Sequence, residues 1–148
     1  NRSLTLNADA DDSLSRLGGL QNLTLGTWPH PTNQLVGPMP SWLGKLAGSL
    51  VHLEMGRNKL SGPIDIVRGL QNLECLVLGQ NANLNGTIGP VAGLTKLTYL
   101  SLGKCGFSGV VPSGPIDWND ITACGMSGNH FSCPLPAGAK DHCHATCQ

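Results

Sequence analysis

The stretch LTKLTYLSLGKCGFSGVVP, residues 94–112, carries the pattern that decides the fold. Leucines stand at positions 94, 97, 100 and 102, and a Phe-x-Gly-x-Val-Pro tail follows them. The preceding stretch LQNLECLVLGQNANLNGTI, residues 70–88, has the same leucine spacing, with one extra residue before Leu84. Self-similarity at a fixed period of roughly 20–50 residues is the signature of a repeat architecture.

The pattern extends in both directions along the chain. It recurs downstream over residues 118–136 and upstream over residues 50–64. A further copy begins at Leu17 and resumes at Leu35 after an insertion. Equivalent positions are 23 or 24 residues apart, at 55, 78, 102 and 126. We therefore expect about five stacked repeats.

Each repeat predicts a short strand that ends in a turn. Leu76 and Leu78 point to the same face, because side chains alternate along a strand. An asparagine follows at the equivalent positions 58, 81 and 129, and Cys105 takes its place in one repeat. Stacked asparagines would bond backbone groups that otherwise stay unsatisfied, at a cost of about 1–3 kcal/mol each. Because one repeat cannot bury its own apolar face, stability is cooperative along the stack.

These residues resemble the leucine-rich repeat, in particular the plant-type pattern LxxLxxLxLxxNxLxGxIPxxLxxL, over residues 17–136. The resemblance implies an α/β solenoid, a curved right-handed superhelix with a parallel β-sheet on its concave face. Short 3-10 or irregular segments would form the convex side. We expect a single domain over residues 1–148, with residues 1–16 as an irregular segment or partial repeat and residues 137–148 as a cysteine-containing cap.

The cysteines gather toward the C-terminal end. Cys133 stands where earlier repeats have glycine, and Cys143 and Cys147 follow it. We expect a disulfide-stabilised cap in which Cys133 pairs with Cys143 or Cys147, because a terminal repeat must cover the exposed core. Cys105 and Cys124 occupy inward positions of adjacent repeats, where they either pair as a disulfide or remain buried thiols.

Two further features involve sulfur and imidazole groups. Cys75 falls at an outward position of its strand and is either free or intermolecular. His142 and His144 flank Cys143, but the paired C-x₂-C spacing of zinc knuckles is lacking. An oxidising compartment favours disulfides over zinc at these residues, so we predict no metal site.

Three N-x-S/T triplets begin at Asn1, Asn22 and Asn85. Together with the clustered cysteines, they indicate an extracellular glycoprotein, either secreted or at the cell surface. The sequence starts without a methionine or an apolar secretory segment, so we expect it to begin after a cleavage or to be a fragment. It also lacks an N-terminal cysteine cap, and an open first strand is a template for association.

Charge and motif content exclude several functions. Nine cationic residues balance nine acidic ones, and a neutral chain lacks the positive footprint that nucleic acids require. No apolar stretch of about 18 residues could span a membrane. The motifs of nucleophilic serine enzymes, zinc proteases and nucleotide-binding loops do not occur. We therefore predict that the chain is not an enzyme and needs no cofactor.

The function should then lie on the concave face. The candidate binding residues are the outward positions of successive strands, namely Thr24, His52, Glu54, Arg57, Val77, Gln80, Tyr99, Ser101 and Lys104. A glycine column runs beside them at positions 26, 56, 79 and 103. This column either lets a flat partner or glycan approach closely or is a product of repeat duplication without function.

Two functions are compatible with these features. The first is recognition of a protein, peptide or glycan by the concave face. The alternative is a structural subunit of a surface coat or fibre, which self-associates through the uncapped first repeat. Trp28, in the insertion at residues 26–34, is either an exposed loop anchor or a cover for that repeat.

Overall fold

The computed structural model describes residues 18–26 and 35–148, which form two parallel five-stranded sheets. The first, the concave sheet, contains in spatial order β1 (Asn22–Thr24), β3 (His52–Glu54), β5 (Cys75–Val77), β7 (Tyr99–Ser101) and β9 (Ala123–Gly125). The second, which we call the lateral sheet, contains β2 (Val36–Gly37), β4 (Lys59–Gly62), β6 (Asn83–Gly86), β8 (Gly106–Val110) and β10 (His130–Ser132).

Equivalent residues of successive repeats stand in register across the concave sheet. Leu53 pairs with Leu76, which pairs with Leu100, which pairs with Cys124. The L-x-L motif sets this register, because a shift by one residue would turn every leucine out of the core. The leucines of this row are almost fully buried. The predicted solenoid with a parallel sheet is confirmed.

Short 3-10 helices form the return segments of three repeats, at Ser41–Leu46, Asp65–Gly69 and Gly89–Val91. Each of them places apolar side chains, such as Trp42, against the core. Such short, tight helices suit repeats of 23 or 24 residues, which leave little chain for the return path.

The asparagine ladder closes the turns after β3, β5 and β9 of the concave sheet. Asn81 is fully buried and makes three hydrogen bonds to backbone groups. Its Oδ1 accepts from the Leu60 N–H at 3.0 Å, and its Nδ2 donates to the carbonyls of Met55 at 3.0 Å and Leu78 at 2.7 Å. Asn58, one repeat before Asn81, and Asn129, two repeats after it, make equivalent hydrogen bonds. The predicted ladder is therefore present.

Cys105 interrupts the ladder without leaving a donor unpaired. An asparagine at this position would accept from the Leu84 N–H, but that group already donates to the Asn81 carbonyl at 3.0 Å. The extra residue before Leu84 makes this local turn. It also crowds Gly106, where an added Cβ would lie 2.8 Å from the Leu84 carbonyl oxygen. The extra residue before Leu84, Cys105 and Gly106 therefore deviate together from the repeat pattern.

Of the two alternatives for Cys105, the disulfide with Cys124 is wrong and the buried thiol is correct. Cys105 lies in the turn after β7, whereas Cys124 lies within β9, so the two are not equivalent positions of adjacent repeats. The Cys105 thiol stays free and buried, 3.6 Å from the Leu78 carbonyl and 3.7 Å from that of Gly103. Burial raises the pKa of this thiol.

The C-terminal cap is held by two disulfides, Cys124–Cys143 and Cys133–Cys147. One of the two partners predicted for Cys133 is therefore correct, and Cys143 pairs with Cys124 instead. The tail also satisfies backbone groups of the last repeat: the Met126 N–H donates to the Cys143 carbonyl at 2.9 Å. Helix α1 (Ala137–Asp141) lies in this cap.

Candidate ligand-binding groove

A groove of about 470 Å³ lies over the concave sheet. Of the nine predicted binding residues, it brings together Glu54, Arg57, Val77, Gln80, Tyr99, Ser101 and Lys104. Thr24 and His52 lie outside this lining. Thr24, on β1, is exposed and stands in register with Glu54 of β3. His52 stands in register with Cys75, which in turn stands in register with Tyr99.

The floor of the groove is the glycine column, and its composition has a packing reason. A Cβ at Gly79 would lie 2.8 Å from Ser101 Oγ and 3.2 Å from the Gly103 carbonyl oxygen. A Cβ at Gly56 would lie 3.1 Å from the Gly79 carbonyl oxygen. The close approach that these glycines permit is therefore between adjacent repeats. The result is a floor of bare backbone between two walls of side chains.

One wall consists of exposed polar residues in a left-handed backbone conformation. Arg57, Gln80 and Lys104 have φ angles of 57°, 62° and 57°. The equivalent residue of the last repeat is Gly128, with φ 74°. A left-handed conformation costs a residue with a Cβ about 1–2 kcal/mol, and such strain is concentrated at functional sites. Three repeats thus keep long polar side chains where glycine fits more easily.

The opposite wall is formed by Glu54, Val77 and Ser101, which stand in register on β3, β5 and β7. Tyr99 extends this wall and is 45% exposed, one of two large hydrophobic side chains exposed among the described residues. Its register neighbour Cys75 is half-buried. Burial, and secondarily the charge of Glu54, raise the pKa of the Cys75 thiol, so it remains protonated at neutral pH.

The cations of the groove have no anionic partner within the described part of the chain. The salt bridge between described residues joins Arg68 to Asp65 at 3.9 Å, on a return segment. Arg57 and Lys104 are exposed and make no comparable pair. Their positive charges remain available to a ligand.

Among the described residues, the C-terminal histidines do not belong to a cluster of potential metal ligands. No group of three His, Cys, Asp or Glu side chains that could hold a metal occurs in residues 18–26 and 35–148. The sulfurs of Cys143 and Cys147 are used in disulfides, and the His142 Nε2 lies against the Ile121 carbonyl.

Two of the three predicted glycosylation sites lie among the described residues. Asn22 is exposed on β1 at one edge of the concave sheet, and Asn85 is exposed on β6 of the lateral sheet. Both are accessible, and their modification stays a prediction. Asn1 and Trp28 lie outside the described residues. In the part of the chain that is described, no helix has the length and apolar character needed to cross a membrane.

Neither the models of known protein families nor the curated proteins match this sequence. Solved structures do. The leucine-rich-repeat ectodomain of the Arabidopsis receptor kinase HAESA, in complex with an N-terminally extended IDA peptide hormone, is 27% identical with a TM-score of 0.71. That match covers 89% of this chain and 22% of HAESA.

Two other ectodomain structures agree. The plant peptide hormone receptor RGFR1, in complex with RGF2, is 29% identical over 84% of this chain and 23% of its own, with a TM-score of 0.65. The BIR2 ectodomain from Arabidopsis thaliana is 31% identical over 85% of this chain and 64% of its own, with a TM-score of 0.63. Both the repeat pattern and the fold are shared.

The described residues form a leucine-rich-repeat domain. Its repeats are of the plant type, as the sequence pattern predicts. The leucine-rich-repeat domain described here spans less than a quarter of the two hormone receptors, 22% of HAESA and 23% of RGFR1. The residues of the left-handed wall were predicted, but sequence reasoning missed their left-handed backbone conformation, for which Gly128 at the equivalent position was the signal.

Proposed function

We propose that this leucine-rich-repeat domain is an extracellular, non-enzymatic recognition module that binds a peptide or a protein segment in its concave groove. The observation that carries the proposal is the groove itself, which combines an exposed Tyr99, unpaired cations and a floor of bare backbone. Aromatic and arginine side chains are the residue types that dominate binding energy at interfaces.

The shape of the groove suits an elongated ligand. It runs across β3, β5 and β7, and reaches Gly26 at one end and Ser127 at the other. Because the floor has no side chains, it adds no bulk between the two walls, and Gly103 is the half-exposed member of the glycine column. HAESA and RGFR1, which share the fold, are complexes with peptide hormones, and this supports a ligand of the same chemical kind.

An extracellular location is supported by the two disulfides of the cap, since such bonds persist in oxidising compartments. The exposed sequons at Asn22 and Asn85 point the same way. The alternative, a coat or fibre subunit that stacks through its first repeat, depends on the segment at residues 1–17, which lies outside the described residues.

Selection of displayed random peptides on the purified domain tests the proposal. Val77 and Ser61 are both half-exposed strand residues, the first in the groove and the second on the lateral sheet. Val77→Arg should obstruct the groove and abolish binding of the selected peptides, whereas Ser61→Arg should leave it unchanged. Urea denaturation of both variants checks that they fold. The proposal fails if binding of the selected peptides survives Val77→Arg.

A further inference from the structure

We infer that the groove selects an acidic peptide segment, in which two carboxylates three residues apart bind Arg57 and Lys104. This inference rests on the proposed function, because it names the ligand class of the same groove.

The charge of the groove is asymmetric. Arg57, Gln80 and Lys104 share one wall, and no carboxylate interrupts it. The lone carboxylate in the lining, Glu54, belongs to the opposite wall and to the same repeat as Arg57. Around Lys104 the lining is uncharged, with Ser101 and Ser127 as the polar groups. A ligand that carries negative charge therefore finds complementary positions at both ends of the wall.

The spacing of the two cations defines the spacing of the carboxylates. Arg57 and Lys104 are two repeats apart, which corresponds to roughly 10 Å at about 4.8 Å between neighbouring strands. A polyproline II segment rises about 3.1 Å per residue and returns to the same face every third residue, about 9.3 Å further on. Acidic residues at positions i and i+3 of such a segment match the two cations.

The peptide backbone also has partners in the groove. A polyproline II segment makes no internal hydrogen bonds, so its N–H and C=O groups need partners when it is bound. Gln80 lies between the two cations and offers both a donor and an acceptor, and the hydroxyl of Ser101 belongs to the same groove lining. Tyr99 and Val77 supply the apolar contact for a residue between the two acids.

The left-handed backbone conformation of the wall supports a ligand-binding role. The last repeat uses glycine at this position, which shows that the turn needs no side chain. Arginine, glutamine and lysine are present in the three repeats that line the groove, despite the strain that a Cβ brings there.

Three synthetic proline-rich peptides of equal length test the inference. One peptide carries two glutamates three residues apart, the second carries them adjacent to each other, and the third has glutamines in their place. Fluorescence anisotropy should show the first binding at least about threefold more tightly than the second and about tenfold more tightly than the third. Raising the salt concentration should weaken only the glutamate peptides.

Charge-neutralising variants locate the effect. Arg57→Gln and Lys104→Gln should each weaken the binding of the first peptide about three- to fivefold. Lys59→Gln removes an exposed cation from β4 of the lateral sheet and should change nothing. Binding that is lost with Val77→Arg but is indifferent to glutamate and to both groove variants would overturn the inference and leave the proposed function standing. Binding that ignores Val77→Arg would overturn both.

Discussion

Replacing Asn81 with alanine should cost this domain a large part of its stability, because the side chain satisfies three backbone groups in the core. Asn81 has no exposed surface. Its amide accepts from the Leu60 N–H at 3.0 Å and donates to Leu78 at 2.7 Å and Met55 at 3.0 Å. Alanine leaves these groups without the side-chain partner and without access to water.

The magnitude follows from which groups lose their last partner. The Leu60 N–H donates to Asn81 Oδ1 at 3.0 Å, and leaving a buried donor unpaired costs about 1–3 kcal/mol. The Leu78 carbonyl keeps only the weak contact with the Cys105 thiol at 3.6 Å, so it adds about 1 kcal/mol. The Met55 carbonyl keeps the Asn58 Nδ2 at 2.9 Å and adds little. We expect a total loss of about 2–4 kcal/mol in the free energy of unfolding.

Urea denaturation followed by circular dichroism measures this loss. The matched control is Cys105→Ala, at the ladder position of the next repeat, where no backbone N–H depends on the side chain. It should cost at most about 1 kcal/mol, from the lost sulfur contacts. The reasoning is refuted if Asn81→Ala and Cys105→Ala destabilise the domain to the same extent, or if Cys105→Asn stabilises it as a restored ladder would.

Four other predictions concern packing, the cap, the wall and the free thiol. Gly106→Ala should destabilise by about 1–3 kcal/mol, since its Cβ would lie 2.8 Å from a backbone oxygen; Gly125→Ala, with nothing within 4 Å, should stay within about 0.5 kcal/mol in the same denaturation assay. Serine at Cys133 opens a disulfide that closes 14 residues and should cost about 3 kcal/mol. Lys104→Gly should stabilise the domain by about 0.5–1 kcal/mol, because it relieves backbone strain, and it should weaken the binding of acidic peptides. A loss of stability would contradict this prediction. Because the pKa of the Cys75 thiol is raised in the folded state, its alkylation above neutral pH should be several times slower in the folded domain than in urea. The contribution of this thiol to the free energy of unfolding is complete below the ordinary thiol pKa. That contribution is lost as the pH rises through the raised value. Equal alkylation rates would show that burial does not protect the thiol.

The sequence predicted the parts of the fold that repeat. The L-x-L motif places Leu76 and Leu78 in the core, and the asparagine position predicts the ladder, because both follow from periodicity alone. Most of the groove lining was also predictable, since outward strand positions alternate with these leucines. Glu54, Val77 and Ser101 stand on one wall for this reason.

The parts that could not be predicted depend on where the chain travels between repeats. The pairing of Cys124 with Cys143 follows from the path of the C-terminal tail, which has no periodic signal. The fate of Cys105 depends on a turn that the extra residue before Leu84 makes in the neighbouring repeat. The left-handed conformation of Arg57 is likewise a property of the turn rather than of the residue, and Gly128 alone hints at it.

The central claim is that the concave groove is the ligand-binding surface, and amide chemical shifts in the ¹⁵N-labelled domain test it most directly. On addition of a selected peptide, we predict shift changes confined to residues 54–57, 77–80 and 99–104, with β4, β6 and β8 of the lateral sheet unchanged. Shift changes centred on the lateral strands, with the groove residues unaffected, would contradict the account.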